Sequence, residues 1–136
     1  MLKIYNTLEN SKEKFVPIDS SNIRIYACGP TVYSYAHIGN ARMAVVNDLL
    51  VRLLRSIYTK VTYVSNITDI DDKIIDASAK SNIPFQELTR KFEKIYNEDM
   101  LKLGVFIPDV QPRATEHINE MIELTQKLIN NNHAYV

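Results

Sequence analysis

The chain has one cysteine, three glycines, three histidines and no tryptophan among its 136 residues. A lone cysteine excludes an internal disulfide, so packing must hold the fold, and a reducing, cytoplasmic setting is the expectation. Sixteen Lys and Arg offset sixteen Asp and Glu, leaving no net charge. That excludes a polybasic tail or an overall field drawing the chain to nucleic acid or an anionic membrane; any charge that meets RNA is local or lies elsewhere. Long apolar runs are missing too, and Lys3 and the stretch from Glu9 to Lys14 interrupt the start. Neither a membrane span nor a cleavable leader is therefore expected. Two nucleotide motifs are absent: there is no G-x-G-x-x-G and no Gly-Lys-Ser/Thr phosphate loop. Their absence argues against a dehydrogenase or a P-loop phosphotransferase.

What is present suffices for one domain with a substantial core, since 46% of the residues are hydrophobic. Leu2 to Asn6 and Lys14 to Ile18 read as strands around the polar turn Glu9-Asn10-Ser11-Lys12, and Ile23 to Ala27 as a third, β-branched and alternating. After Gly39, Met43, Val46, Leu50, Leu53 and Ile57 recur at helical spacing with Val45, Leu49 and Leu54 beside them, which predicts a buried helix. Val61 to Val64 reads as a strand, Ile70 to Ala79 as a helix, and Pro84 to Leu101 as a longer helix stopped by Gly104. Thr115 is the expected cap of a last helix with Ile118, Met121, Ile122, Leu128 and Ile129 on one face, and His133 to Val136 resembles the start of a strand. Strand, crossover helix and strand in that order predict a parallel βαβ unit in an α/β domain, with its ligand beyond the strand ends.

The stretch YACGPTVYSYAHIGNAR, Tyr26 to Arg42, concentrates the special residues: the cysteine, two of the three glycines and one of the three histidines. Gly39 stands where loop becomes helix, and the unpaired N–H groups of a first helical turn favour a phosphate there. His37 and Asn40, three residues apart, could both donate to a phosphoryl group in its transition state. The plainer alternative is that His37 enters the helix and Asn40 caps it.

This stretch, with YVSNITDIDDKII (Tyr63 to Ile75) and PRATEHI (Pro112 to Ile118), closely resembles the N-terminal part of bacterial cysteinyl-tRNA synthetases, over essentially the whole chain. His37-Ile38-Gly39-Asn40 matches the HIGH-type signature of class I synthetases, with Asn at the fourth position, where an amide can still donate. The resemblance implies a Rossmann-type parallel sheet with flanking helices, the N-terminal half of a class I catalytic domain. It also implies activation of cysteine with ATP and Mg2+, then transfer to the terminal adenosine of cysteine tRNA. His37 and Asn40 would be catalytic, and His37, Gly39 and Asn40 would bind ATP.

The resemblance further makes Cys28 a ligand of Zn2+ that grips the substrate thiolate, with the remaining ligands beyond Val136. Zinc prefers sulfur to a serine hydroxyl, which would give selectivity without editing. By position alone Cys28 is a small buried hydrophobe. Gly29, Thr31 and Thr68, with Cys28, would face the bound cysteine, while Tyr33 and Tyr35 are expected either to pack the loop or to line the pocket. Asp69, Asp71 and Asp72 are read as solvated charge at a helix start rather than as metal ligands.

The expected division is residues 1–115 as the first half of the nucleotide-binding domain and 116–136 as the start of an inserted connective domain, in a truncated chain. Without a KMSKS-type lysine, further zinc ligands or an anticodon-binding region, these residues alone are expected to be inactive. Two alternatives share the motifs: a cysteine ligase of the same fold acting on an amino sugar, and a stand-alone nucleotide-binding module.

Overall fold

A computed structural model describes residues 2–136. Strands β1 (Lys3–Asn6) and β2 (Ser11–Lys14) form an antiparallel hairpin, pairing Lys3 with Lys14 and Asn6 with Ser11. The second strand thus starts earlier than its apolar residues suggested. Asn10 adopts the left-handed conformation at φ 51° and closes the turn, so the polar residues after it pair; Phe15 N–H still donates to the Leu2 carbonyl at 3.0 Å, and Val16 to Ile18 leave the hairpin.

Strand β3 (Ile23–Ala27), helix α1 (Ile38–Ile57) and strand β4 (Val61–Ser65) form the expected parallel unit, in register from Ile23 opposite Val61 to Ala27 opposite Ser65. The alternation of β4 buries Val61, Tyr63 and Ser65 on one side. An extended segment after Gly104 returns along the far edge of β4. Ser65 N–H donates to the Val110 carbonyl (3.1 Å), Ile67 N–H to that of Pro112 (2.8 Å) and Ala114 N–H to that of Ile67 (3.1 Å). Asp109 fixes this return: its carboxylate accepts from the Arg55 guanidinium and from Tyr63 N–H at 2.7 Å. The architecture is mixed α/β, built on two short two-stranded sheets.

Helix α1 is less buried than its sequence predicts. Ala44, Asp48, Val51 and Leu54 face inward, whereas Val46 and Leu49 are 57% and 66% exposed. Its inner face joins two clusters, one of Ile23, Leu54 and Val61 under the β3–β4 pair, the other of Ala44, Met100 and Val105. Met100 belongs to α3 (Phe85–Lys102), which packs on α2 (Asp72–Ser81); Gly104, at φ +78°, ends the helical stretch. Burying a side chain such as Leu54 contributes about 1.5–3 kcal/mol, so these contacts hold α1 against the β3–β4 pair.

Two expectations near the C-terminal end are corrected. Thr115 does not cap α4 (Ile118–Asn130); it lies in a 3-10 turn, Ala114–His117, and donates to Asp69. His133 to Val136 form no strand, having no strand partner among the described residues. Among the described residues, no helix is long and apolar enough to cross a membrane.

Candidate active site at the head of helix α1

The loop from Cys28 to His37 leaves the C-terminal end of β3 and enters α1, so the sheet delivers it to the strand ends. Its path is fixed by the neighbouring strand. Gly29 N–H donates to Asn66 Oδ1 at 2.8 Å, Thr68 N–H to the Pro30 carbonyl at 3.0 Å, and Val32 N–H to the Thr68 carbonyl at 3.2 Å. Thr31 and Thr68 are therefore bridged side by side, and Asn66 Nδ2 donates to Thr68 Oγ1 at 3.3 Å. Asn66 ties both strand tips together through one side chain.

At the helix entrance the structure shows the capping alternative. His37 is the N-cap residue: its Nδ1 accepts from Gly39 N–H at 3.0 Å, and its own N–H donates to Asn40 Oδ1 at 3.1 Å. An imidazole whose Nδ1 accepts carries its proton on Nε2, and an amide whose oxygen accepts keeps its Nδ2 protons for other partners. Capping thus orients two N–H donors away from the helix backbone. A Cβ on Gly39 would lie 2.7 Å from His37 Cε1 and 2.9 Å from Nδ1, so a side chain there would push the imidazole off its cap.

Beside this entrance lies a cleft of ≈ 220 Å³ whose walls include Gly29, Thr31, His37 and Asn40. Cys28, Gly39 and Thr68 border these residues in the chain or the sheet but do not line the cleft. Cys28 is exposed and unbonded to sulfur, not the buried hydrophobe its position suggests. It offers one sulfur, and the described residues hold no group of three or more His, Cys, Asp or Glu able to bind a metal ion. The donor set present therefore does not make a zinc site.

Sequence reasoning missed Lys73 and Tyr96 in the cleft wall and Asn66 behind it. Lys73 sits in the first turn of α2, its N–H held by the Asp71 cap at 2.9 Å; the adjacent aspartates drew attention instead. Burial pushes the Tyr96 phenol up to about 12, and burial likewise raises that of Tyr63. Tyr35 packs edge-on against Phe92 with ring centroids 5.3 Å apart, yet it is exposed and, like Tyr33, lines the cleft. The expected solvated charge holds for Asp72 but not for Asp69. Asp69 is buried and accepts from Thr115 N–H at 2.9 Å and from the Thr115 hydroxyl at 2.6 Å. It locks the segment after β4 to the returning chain.

Comparison with known proteins sets this geometry in a family. Residues 14–136 match the family model described as "tRNA synthetases class I (C) catalytic domain". The chain belongs to the class I (C) tRNA synthetase catalytic-domain family. It is 54% identical over 133 residues to a cysteine–tRNA ligase of Ehrlichia ruminantium (strain Gardel), covering 98% of this chain and 29% of that relative. A cysteine–tRNA ligase of Rhodospirillum centenum is 52% identical over 134 residues, covering 98% and 29%, and one of Methylocella silvestris 53% over 137 residues, covering 99% and 30%. The chain thus spans less than a third of the length of these curated relatives.

Proposed function

We propose that this chain supplies the first part of the catalytic domain of a cysteine–tRNA ligase. The observation that carries the proposal is the cap at the head of α1, where His37 Nε2 and Asn40 Nδ2 are left to donate beside an open cleft at the strand ends. A carboxylate oxygen of cysteine attacks the α-phosphorus of Mg2+-bound ATP, the bond to the bridging oxygen breaks, and pyrophosphate leaves. His37 and Asn40 donate to phosphate oxygens as charge develops on them, while N–H groups of the first α1 turn add the helix's partial positive charge. Gly39 leaves room for the imidazole that does this. Gly29, Thr31 and Thr68 shape the place of the amino acid, and the terminal adenosine of cysteine tRNA then attacks the activated carbonyl, releasing AMP.

The Rossmann-type sheet belongs to this proposal, supported by the parallel β3–α1–β4 unit and the strand-like return beside β4. So does the division at residue 115, supported by α4 having no fully buried residue. Cys28 is proposed as one ligand of Zn2+, whose preference for sulfur would favour cysteine over serine, with further ligands supplied from outside these 136 residues. A cytoplasmic setting agrees with an exposed free thiol.

The acceptor decides between tRNA and an amino sugar. The complete enzyme carrying these residues, given radiolabelled cysteine and ATP, should make cysteinyl-tRNA and leave an amino-sugar acceptor unmodified. Label appearing on the amino sugar alone would contradict the proposal.

A further inference from the structure

We propose that Lys73 contacts the anionic reactants in the cleft beside the head of α1, as a further substrate-contacting residue of adenylate formation; this rests on the ligase reading above. Among the residues lining that cleft, Lys73 is the sole Lys, Arg, Asp or Glu, and His37 Nδ1 is taken up as the acceptor for Gly39 N–H. Its ammonium makes no ion pair within 4.0 Å among the described residues. That is notable because Asp76 stands three residues further along α2, at a spacing where helical ion pairs form. The ammonium instead lies 6.0 Å from the ring centroid of Tyr33, itself part of the cleft wall.

Helix stability does not account for this cation. A positive charge in a first turn opposes the helix dipole, so α2 would gain from an acidic or neutral residue there. The chemistry does account for it. Attack of a carboxylate on the α-phosphate brings two anions to bonding distance, and the donors at the head of α1 are neutral dipoles. One ammonium in the same cleft offsets that repulsion and stabilises the charge that develops in the transition state.

Cysteine-dependent ATP–pyrophosphate exchange by the complete enzyme, with melting temperatures alongside, tests the assignment in Lys73→Gln and Lys73→Arg variants. Lys73→Gln should lower kcat/KM by roughly 10–100-fold without a change in melting temperature, and Lys73→Arg should restore most of it. Varying ATP and cysteine in turn separates the two anions. A raised KM for ATP locates the contact on phosphate, a raised KM for cysteine on the carboxylate, and a fall in kcat alone on the transition state; each supports the assignment. Unchanged exchange in Lys73→Gln overturns it while leaving the ligase reading intact. So does a loss that comes only with several degrees of melting temperature and that Arg does not repair. Absence of exchange in the unmodified enzyme overturns the ligase reading, and Lys73 with it.

Discussion

Gly29 and Asn66 lie so close that a Cβ on Gly29 would stand 1.5 Å from the Asn66 carbonyl oxygen, while Gly29 N–H donates to Asn66 Oδ1 at 2.8 Å. Backbone cannot yield as a flexible side chain does, so any residue but glycine must part the tips of β3 and β4. Gly29→Ala should cost more than about 3 kcal/mol, and Asn66→Ala about 1–3 kcal/mol through the unpaired Gly29 N–H. Urea denaturation of both variants measures this; an unshifted midpoint for Gly29→Ala would mean that the strands are not joined as described.

At His37 the cap and the proposed chemistry can be separated by the choice of replacement. His37→Ala should lose about 1 kcal/mol of stability with the cap and lower adenylate formation in the complete enzyme by roughly 10²–10³-fold, with a smaller effect on ATP affinity. His37→Asn restores an acceptor for Gly39 N–H but cannot reach where Nε2 points. Stability should therefore return in His37→Asn while the rate stays low. Recovery of rate and stability together would leave His37 a cap and nothing more.

The parallel unit was legible because its signals are local. β-branched alternation in Ile23 to Ala27, helical spacing from Met43 to Ile57 and the apolar run at Val61 each act within one element, and they agree on one topology. The head of α1 was legible through its crowded sequence. What could not be read depended on contacts distant in sequence. Asp69 resembles its neighbours Asp71 and Asp72 until the chain 46 residues later brings Thr115 against it. The exposed side of α1 has the same apolar residues as the buried side, so periodicity marked a helix without showing how much of it would be covered. Lys73 reads as an ordinary surface lysine until α2 is set beside the loop at Tyr33.

Cys28 is exposed, which separates its effect on stability from its proposed effect on metal. Cys28→Ser should leave the melting temperature of these 136 residues nearly unchanged, since no buried thiol is lost. In the complete enzyme the same change should remove bound zinc and weaken discrimination against serine. Metal analysis and melts of both proteins check this. Retention of stoichiometric zinc by the complete variant, or a drop of several degrees in the shorter one, would contradict the proposed role.

Alkaline pH should destabilise the domain through two phenols, Tyr63 and the partly buried Tyr96. Burial raises Tyr96 from 10.0 to about 12 and moves Tyr63 in the same direction, because the charged phenolate is poorly solvated inside. Their contribution is complete below pH 10, the unfolded value, and is lost as pH rises toward 12, because the unfolded chain releases protons first. Melting temperature should therefore fall across that window, and Tyr96→Phe should flatten the fall. A variant with the same alkaline slope would assign the effect to other groups.

In the proposed function, the loop from β3 into α1 belongs to a site that joins cysteine to the α-phosphate of ATP. Amino-acid-dependent ATP–pyrophosphate exchange by the complete enzyme, comparing cysteine with serine and with no amino acid, tests it most directly. Exchange that requires cysteine, barely responds to serine and falls roughly 10²–10³-fold in His37→Ala is the predicted result. Exchange independent of cysteine, or undiminished without the His37 imidazole, would contradict it.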